Sequence, residues 1–318
     1  MAEKALIGGQ AVIEGVMMRN GAVYGLAVRR PDGAIYAERR AWFSLAQSPF
    51  LRLRFIRGFP LLIETLFNGI SSLNRSAVLS SQGEGGEELK NWQLAATLVV
   101  SILIAVGLFV LAPHLMAMGA LWLGIGGDVE GIAFHLWDGI FKLIIFLGYL
   151  AGIGCLPDIR RVFCYHGAEH KVIAAFESGS EISADAAAAF SREHPRCGTT
   201  FLLFVLSLAI LLHAVLVPLA LSIWSPGRFW LKHLFTVALK LLLLAPISAL
   251  AYEAIRFTAG LKEGPLARCL RAPGMCLQRL TTREPGREEL EVAVAALAAA
   301  LGPDVPERLV SADPIMEK

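Results

Sequence analysis

The middle of the chain contains a cluster of residue types that bind metals and move protons. The segment YHGAEHK places His166 and His170 four residues apart, so a helix would hold both imidazoles on one face. Glu169 comes directly before His170, and HxxEH is the pattern of the inverted zincins, in which two histidines bind zinc and the glutamate is the general base. A zinc ion that activates water also needs a third protein ligand and an open coordination position.

The third ligand is expected from the later segment HPRCG, which supplies the imidazole of His194 and the thiol of Cys197. Nitrogen and sulfur ligands in this combination are typical of zinc sites. We predict that Glu169 is the catalytic general base of a Zn²⁺ site. The predicted zinc ligands are His166, His170, His194 and Cys197. Two other interpretations stay open: a closed structural zinc site that uses all four ligands, and a surface helix with solvated side chains followed by a His-Pro turn.

The composition shows in what kind of protein these residues lie. The chain has 318 residues, of which 55% are hydrophobic and 18% charged, whereas an ordinary soluble domain is about 45–50% apolar and about 25% charged. The mean hydropathy is +0.58. A soluble, disordered, collagenous or disulfide-scaffold protein is therefore excluded, and the composition predicts an integral membrane protein whose partner is the lipid bilayer.

Charge and cysteine usage narrow the partners further. The net charge is only +2, and no basic run is interleaved with aromatic residues, so we expect no nucleic-acid partner. The five cysteines are scattered without CxxC spacing. This favours a reducing compartment or metal ligation over a disulfide framework.

Four segments have the length and apolar character of membrane spans, which need about 20 mostly apolar residues. The predicted spans are residues 94–118, 133–155, 201–223 and 229–251. A shorter apolar segment at 59–73 contains Glu64 and follows three arginines. It predicts an amphipathic helix that lies on the membrane surface.

The distribution of basic residues predicts the orientation of these spans. Residues 1–91 contain eleven Lys or Arg, residues 157–199 five and residues 252–318 nine, whereas the loops near 119–131 and 224–228 contain none and one. Because basic residues accumulate on the cytoplasmic side, we expect both termini and the middle loop to be cytoplasmic. The first 50 residues have no apolar signal-peptide core, so we expect the N-terminus to stay on that side.

Partial alternation of apolar residues in the first 45 positions, with a turn at the sequence PDG, predicts a small antiparallel β unit. The predicted fold class is a mainly α integral membrane protein with about four transmembrane helices, this β unit and a cytoplasmic helical loop. The predicted organisation is a β unit at 1–48, an amphipathic surface helix and polar linker at 49–91, transmembrane helices at 92–156, the His/Cys loop at 157–199, transmembrane helices at 200–252, and a cytoplasmic helical tail at 253–318.

A second group of ionisable residues falls within the predicted spans. Lys142, His213 and Lys240 lie near the centres of three of them, where charged side chains are costly and often functional. They indicate an ion path or a site for a lipid phosphate, or else snorkelling lysines and a neutral histidine in a helix contact. We expect Asp138 to lie too near the outer edge to act as their counter-ion.

Four strings in this order, GGQAVIEGVMMR, YHGAEHKVI, HPRCGTTF and LQRLTTREP, resemble the YqhQ-like family of bacterial membrane proteins. The resemblance covers about residues 4–297. It implies a multi-pass protein of the bacterial inner membrane that has been labelled a predicted metal-dependent enzyme, and it implies no substrate.

We therefore predict a membrane protein that binds zinc at a cytoplasmic HxxEH and HPRC site and acts as a metal-dependent hydrolase at the inner leaflet, on a peptide or lipid-derived substrate. The alternative is a non-catalytic scaffold or complex subunit with a structural metal. A transporter is the third interpretation. A membrane protein partner or homo-oligomer is possible under each of them.

Overall fold

Long apolar helices form a bundle, and a small sheet with shorter helices packs at one end of it. The computed structural model describes residues 7–45, 50–81, 91–262 and 264–302. The strands are β1 (Ile7–Val12), β2 (Gly15–Asn20), β3 (Val23–Arg29) and β4 (Ile35–Ala41). The helices are α1 (Gly58–Ser80), α2 (Asn91–Val106), α3 (Ala112–Trp122), α4 (Ile132–Ile153), α5 (Pro157–Ser178), α6 (Ala184–Ala188), α7 (Gly198–Ile223), α8 (Phe229–Gly260), α9 (Pro265–Thr281) and α10 (Arg287–Leu301).

Four helical segments among the described residues are long and apolar enough to cross a membrane, which confirms the predicted number. They are Ala95–Trp122, Ile132–Ile153, Gly198–Ile223 and Phe229–Gly260. The first consists of α2 and α3, joined by a π-helical turn at Gly107–Leu111. The last has 32 residues and is about 48 Å long at 1.5 Å per residue, more than the roughly 30 Å of bilayer hydrocarbon. Its final turns extend beyond the predicted end at residue 251.

The predicted β unit is confirmed as a four-stranded antiparallel meander in the order β1-β2-β3-β4. The side chains alternate between two cores. Val16 and Met18 pack with α5 and α10 on one face, whereas Met17 packs with α1 on the other. Helix α10 lies very close to β3, because a Cβ at Gly25 would be 2.3 Å from the carbonyl oxygen of Ala296. The sheet is therefore covered by α5 and α10 on one face and by α1 on the other.

Helix α1 buries polar side chains and exposes apolar ones. Glu64 is buried against the sheet, where its carboxylate accepts hydrogen bonds from the Trp42 indole (3.3 Å) and the Leu45 backbone N–H (2.8 Å). On the outer side Leu66 and Phe67 are exposed, which is the face that a surface-lying helix would present to lipid. Most of the predicted polar linker that follows, residues 82–90, lies outside the described residues, as does the end of the predicted tail, residues 303–318.

Ionisable residues from three of the four spans form a buried group, which we call the intramembrane polar cluster. Asp138 lies at its centre, with one carboxylate oxygen 2.7 Å from the Lys240 ammonium and the other 3.2 Å from that of Lys142. Lys240 also lies 3.2 Å from Nδ1 of His114, whose Nε2 is 2.9 Å from Nδ1 of His233. The expectation that Asp138 is too far out to be a counter-ion was wrong. Lys142 lies four residues later on the same helix, and helix packing brings Lys240 of α8 to the other carboxylate oxygen.

Candidate metal centre

Helix α5 positions the two histidines of the HxxEH motif side by side. Their ring centroids are 4.5 Å apart. Nδ1 of His166 lies 2.8 Å from the Thr281 carbonyl oxygen, and Nδ1 of His170 lies 2.6 Å from that of Arg192. Because a carbonyl oxygen only accepts hydrogen bonds, each Nδ1 carries the ring proton. Both Nε2 atoms therefore keep a free lone pair, which is the form that binds a metal.

The thiol of Cys197 completes a group of three potential ligands. Its Sγ is 3.2 Å from Nε2 of His166, and it caps the start of α7 by accepting from the Thr199 N–H at 3.4 Å. The ligand atoms of His166, His170 and Cys197 all lie within 4.8 Å of one another. Nε2 of His170 is buried and has no hydrogen-bond partner among the described residues. Two imidazoles and a thiol so arranged are a donor set suited to Zn²⁺.

His194 lies beside this group rather than in it. Its ring centroid is 5.8 Å from that of His170, but its Nε2 is 3.5 Å from the Glu177 carboxylate and its Nδ1 accepts the Arg196 N–H at 3.4 Å. Burial, with a smaller effect of His170, lowers the pKa of His194 to about 4, so the ring is neutral at pH 7. The structure thus brings together three of the four predicted ligands and directs the fourth elsewhere.

The predicted general base, Glu169, is buried between α5 and β1. A Cβ at Gly9 would be 2.6 Å from its Oε1, so only glycine leaves room for this carboxylate under the strand. Its Oε2 is buried without a hydrogen-bond partner in the described part of the chain. Burial raises the pKa of Glu169 to about 7, against an opposing effect of His166.

A cavity of about 400 Å³ opens onto the three-residue group. Glu169, His170 and Cys197 form part of its wall. The rest is largely apolar and comes from β1, α1, α5, α7 and α8, with His194 and Arg196 of the HPRC segment also in the wall. Its apolar side chains include Leu61, Leu62, Phe201, Tyr252 and Ile255. The cavity therefore joins polar, reactive side chains to apolar walls at the end of the long helices.

The structure reveals positioning residues in α9 to which the sequence analysis gave no role. The side chain of Gln278 holds the HPRC segment, because its Oε1 accepts the His194 N–H and its Nε2 donates to the His194 carbonyl oxygen, both at 2.8 Å. The carbonyl of Thr281 orients His166. A Cβ at Gly167 would be 2.1 Å from the Arg283 carbonyl oxygen, so α5 needs glycine where this segment crosses it. All three contacts involve residues of the LQRLTTREP string, which the sequence analysis used only as part of the family resemblance.

The N-terminal string GGQAVIEG also packs on this region. Glu14 pairs with Arg161 of α5 at 2.5 Å and lies 3.3 Å from the Tyr165 hydroxyl. Gln10 instead points to α1, where a Cβ at Gly69 would be 2.4 Å from its Oε1. Strand β1 thus packs against the HxxEH helix α5 and covers one side of it.

Comparison with known proteins places the chain in a family. A family model described as "Protein of unknown function (DUF1385)" matches residues 53–303. The "Uncharacterized protein YqhQ" of Bacillus subtilis (strain 168) is 33% identical over 311 residues, which cover 90% of this chain and 89% of that protein. No solved structure matches. On both the family match and this identity, the chain belongs to the DUF1385 family.

Proposed function

We propose that the protein is a zinc-dependent hydrolase that acts on amphiphilic substrates at the membrane surface, on the cytoplasmic side. One observation carries the proposal: the lone pairs of His166 Nε2 and His170 Nε2 and the sulfur of Cys197 converge within 4.8 Å, with the tautomers of both rings fixed by backbone carbonyls. Hydrogen bonds of this kind, from the ring nitrogen that does not bind the metal, orient histidines in known zinc sites.

Three ligands rather than four support a catalytic site. Catalytic zinc is commonly held by three protein ligands with one position left open, whereas structural zinc is enclosed by four. His194, which would be the fourth, is directed to Glu177, and the cavity reaches His170 and Cys197. Bound zinc supplies Lewis acidity, which polarises water and a carbonyl or phosphoryl oxygen.

Glu169 is the residue that would take and return a proton. Its buried Oε2 has no partner among the described residues, and its carboxylate borders the same cavity. Gly9 keeps it in place from above. A general base acts best when its pKa lies near the working pH, and burial raises the pKa of Glu169 to about 7.

The walls of the cavity indicate the substrate class. Leu61 and Leu62 come from α1, whose outer face is apolar, and Phe201 and Ile255 come from the long helices α7 and α8. A substrate with an apolar part would bury it here while its polar bond lies against the three-residue group. This favours a lipid-derived ester or amide, or a peptide bond close to the bilayer.

Metal analysis is the first test. We expect about one zinc per chain in detergent-purified protein and less than a tenth of that in His166→Ala/His170→Ala and in Cys197→Ala. Cys276→Ala is the matched control, because Cys276 is exposed and outside the three-residue group; it should keep its zinc. Equal zinc in the Cys197 and Cys276 variants would refute the site.

Hydrolysis is then measured on two probes in detergent micelles, a medium-chain p-nitrophenyl ester and fluorescently labelled casein. We expect turnover of one probe that is lost in Glu169→Gln while the zinc content is unchanged. Zinc without turnover on either probe would favour the second candidate function, a structural metal. That candidate is supported by the way a metal here would fasten α5 to the start of α7, with backbone bonds to Arg192 and Thr281.

A further inference from the structure

The helix bundle contains a second cavity, lined by residues other than those of the first. It measures about 400 Å³ and lies between the π-helical turn, α4 and α7. Its walls are nearly all apolar and include Phe109, Phe146, Leu206 and Leu244. A cavity of this size is within the range of small-molecule sites, about 300–1,000 Å³.

Two basic side chains, those of Lys142 and His213, interrupt the apolar wall. His213 is only 2% exposed, and neither of its ring nitrogens has a hydrogen-bond partner among the described residues. An unsatisfied buried polar group is destabilising, and lipid offers no replacement partner. The imidazole, which lines the cavity, therefore lacks a hydrogen-bond partner that a polar ligand group could supply.

The charges of the intramembrane polar cluster specify the sign of that group. The single carboxylate of Asp138 faces two buried ammonium groups, those of Lys142 and Lys240. With both lysines protonated the cluster carries one positive charge in excess. A ligand with one negative charge would balance it, and buried charges are tolerated where they are paired.

The depth of this charge fits an amphiphile with its head group well inside the bilayer. Lys142 follows the start of α4 by ten residues, or about 15 Å, which is near the centre of a bilayer. From there the walls continue through Phe146 and Tyr149 to Leu202, close to the start of α7 at Gly198. An extended alkyl chain would lie along this path, towards the end of the bundle that carries α5.

The π-helical turn supplies an independent sign of a built site. Such single turns are rare and frequently lie at functional sites. Here the turn contributes Phe109 and Val110 to the wall. The Phe109 ring packs edge-on against Tyr149, with centroids 5.6 Å apart, so this side of the cavity is already formed.

We propose that this cavity binds a long-chain carboxylic acid, with its carboxylate at Lys142 and His213 and its alkyl chain along the apolar walls. The ammonium of Lys142 pairs with the carboxylate, and the His213 N–H donates a hydrogen bond to it. The site requires no zinc and does not depend on the proposed hydrolase activity.

Binding is tested with cis-parinaric acid, a fluorescent 18-carbon fatty acid, added to the full-length protein in a non-ionic detergent. We expect saturable fluorescence that oleic acid displaces and that oleyl alcohol, of the same chain length but uncharged, does not. Lys142→Met and His213→Leu should each weaken binding about tenfold, the effect of one lost charge-assisted hydrogen bond. Lys232→Met is the matched control, since Lys232 pairs with Glu130 away from the cavity.

A further variant guards against misfolding of the charge variants. Leu206→Trp fills the cavity without removing a charge and should abolish binding while the thermal unfolding midpoint stays close to that of the wild type. Equal displacement by oleyl alcohol would overturn the proposal, as would equal affinity in Lys142→Met and Lys232→Met. If phosphatidylglycerol displaced the probe as strongly as oleic acid does, the cavity would be assigned to a membrane phospholipid instead.

Discussion

Gln278 holds the segment that carries Cys197, and its removal gives the sharpest test of how the metal centre is built. The amide is fully buried and bonds to both the N–H and the carbonyl of His194 at 2.8 Å. Gln278→Leu keeps the volume approximately and removes both bonds to His194, together with the longer one from Nε2 to the Thr200 hydroxyl at 3.2 Å. The HPRC segment then loses its fixed position relative to α5.

The two bonds to His194 differ in how much their loss destabilises the protein. The His194 N–H is left buried without its partner, at a cost of about 1–3 kcal/mol. The His194 carbonyl keeps a second donor, the Cys197 N–H at 3.3 Å, so it loses only a net hydrogen bond of about 1 kcal/mol. We expect the free energy of unfolding to fall by about 2–4 kcal/mol.

Metal binding should weaken as a result of the same substitution. Loss of the groups that orient metal ligands commonly lowers metal affinity 10–100-fold, and Gln278 fixes the segment that supplies the Cys197 sulfur. We expect zinc affinity, measured by competition with a chromophoric chelator, to fall by about that factor. Stability is measured in parallel by titration of mixed micelles with sodium dodecyl sulfate.

Arg279→Leu is the matched control. Arg279 is the next residue of α9, and it makes an exposed ion pair with Glu193, of a kind that contributes little to stability. Zinc affinity in Arg279→Leu should equal that of the wild type. The reasoning is refuted if Gln278→Leu matches Arg279→Leu in both affinity and stability.

Three further predictions concern the same region. Chelator treatment should lower the melting temperature of the wild type by several degrees, reversibly on adding zinc, and should leave that of Cys197→Ser unchanged. Gly167→Ala should destabilise the protein by about 1–3 kcal/mol by overpacking, seen as a lower denaturant midpoint, because its Cβ would be 2.1 Å from a backbone carbonyl. Gly9→Ala should displace the Glu169 carboxylate and reduce hydrolysis at least tenfold with zinc content unchanged. The control is Gly8→Ala, whose Cβ meets nothing within 4 Å and which should behave as the wild type. Equal activity of the two variants would contradict the role given to β1.

Features that depend on local sequence were predictable. Apolar runs of sufficient length determine the four spans, and the helical period alone puts His166 and His170 side by side. The alternation in the first strands likewise follows from which residues face each core. In each case the information lies within a window of a few turns.

Features that depend on contacts between distant segments were not predictable. The sequence offered His194 and Cys197 equally as a third ligand, and only the turn that makes Cys197 the cap of α7 separates them. Nothing near Asp138 in the chain shows that it meets Lys240, 102 residues later, because that pairing depends on how α4 and α8 rotate against each other. The same holds for Gln278, whose partner is 84 residues away.

The order in which the ribosome makes these segments has a consequence for biogenesis. Strand β1, which covers the HxxEH helix, is synthesised first. Helix α5 follows in the middle of the chain, and Thr281 and α10 are made last. Until α10 emerges, the face of the sheet that carries Val16 and Met18 lacks one of the two helices that cover it. His166 likewise gains its Thr281 partner only after the last long apolar helix has been made, so its Nε2 is oriented for a metal late in synthesis.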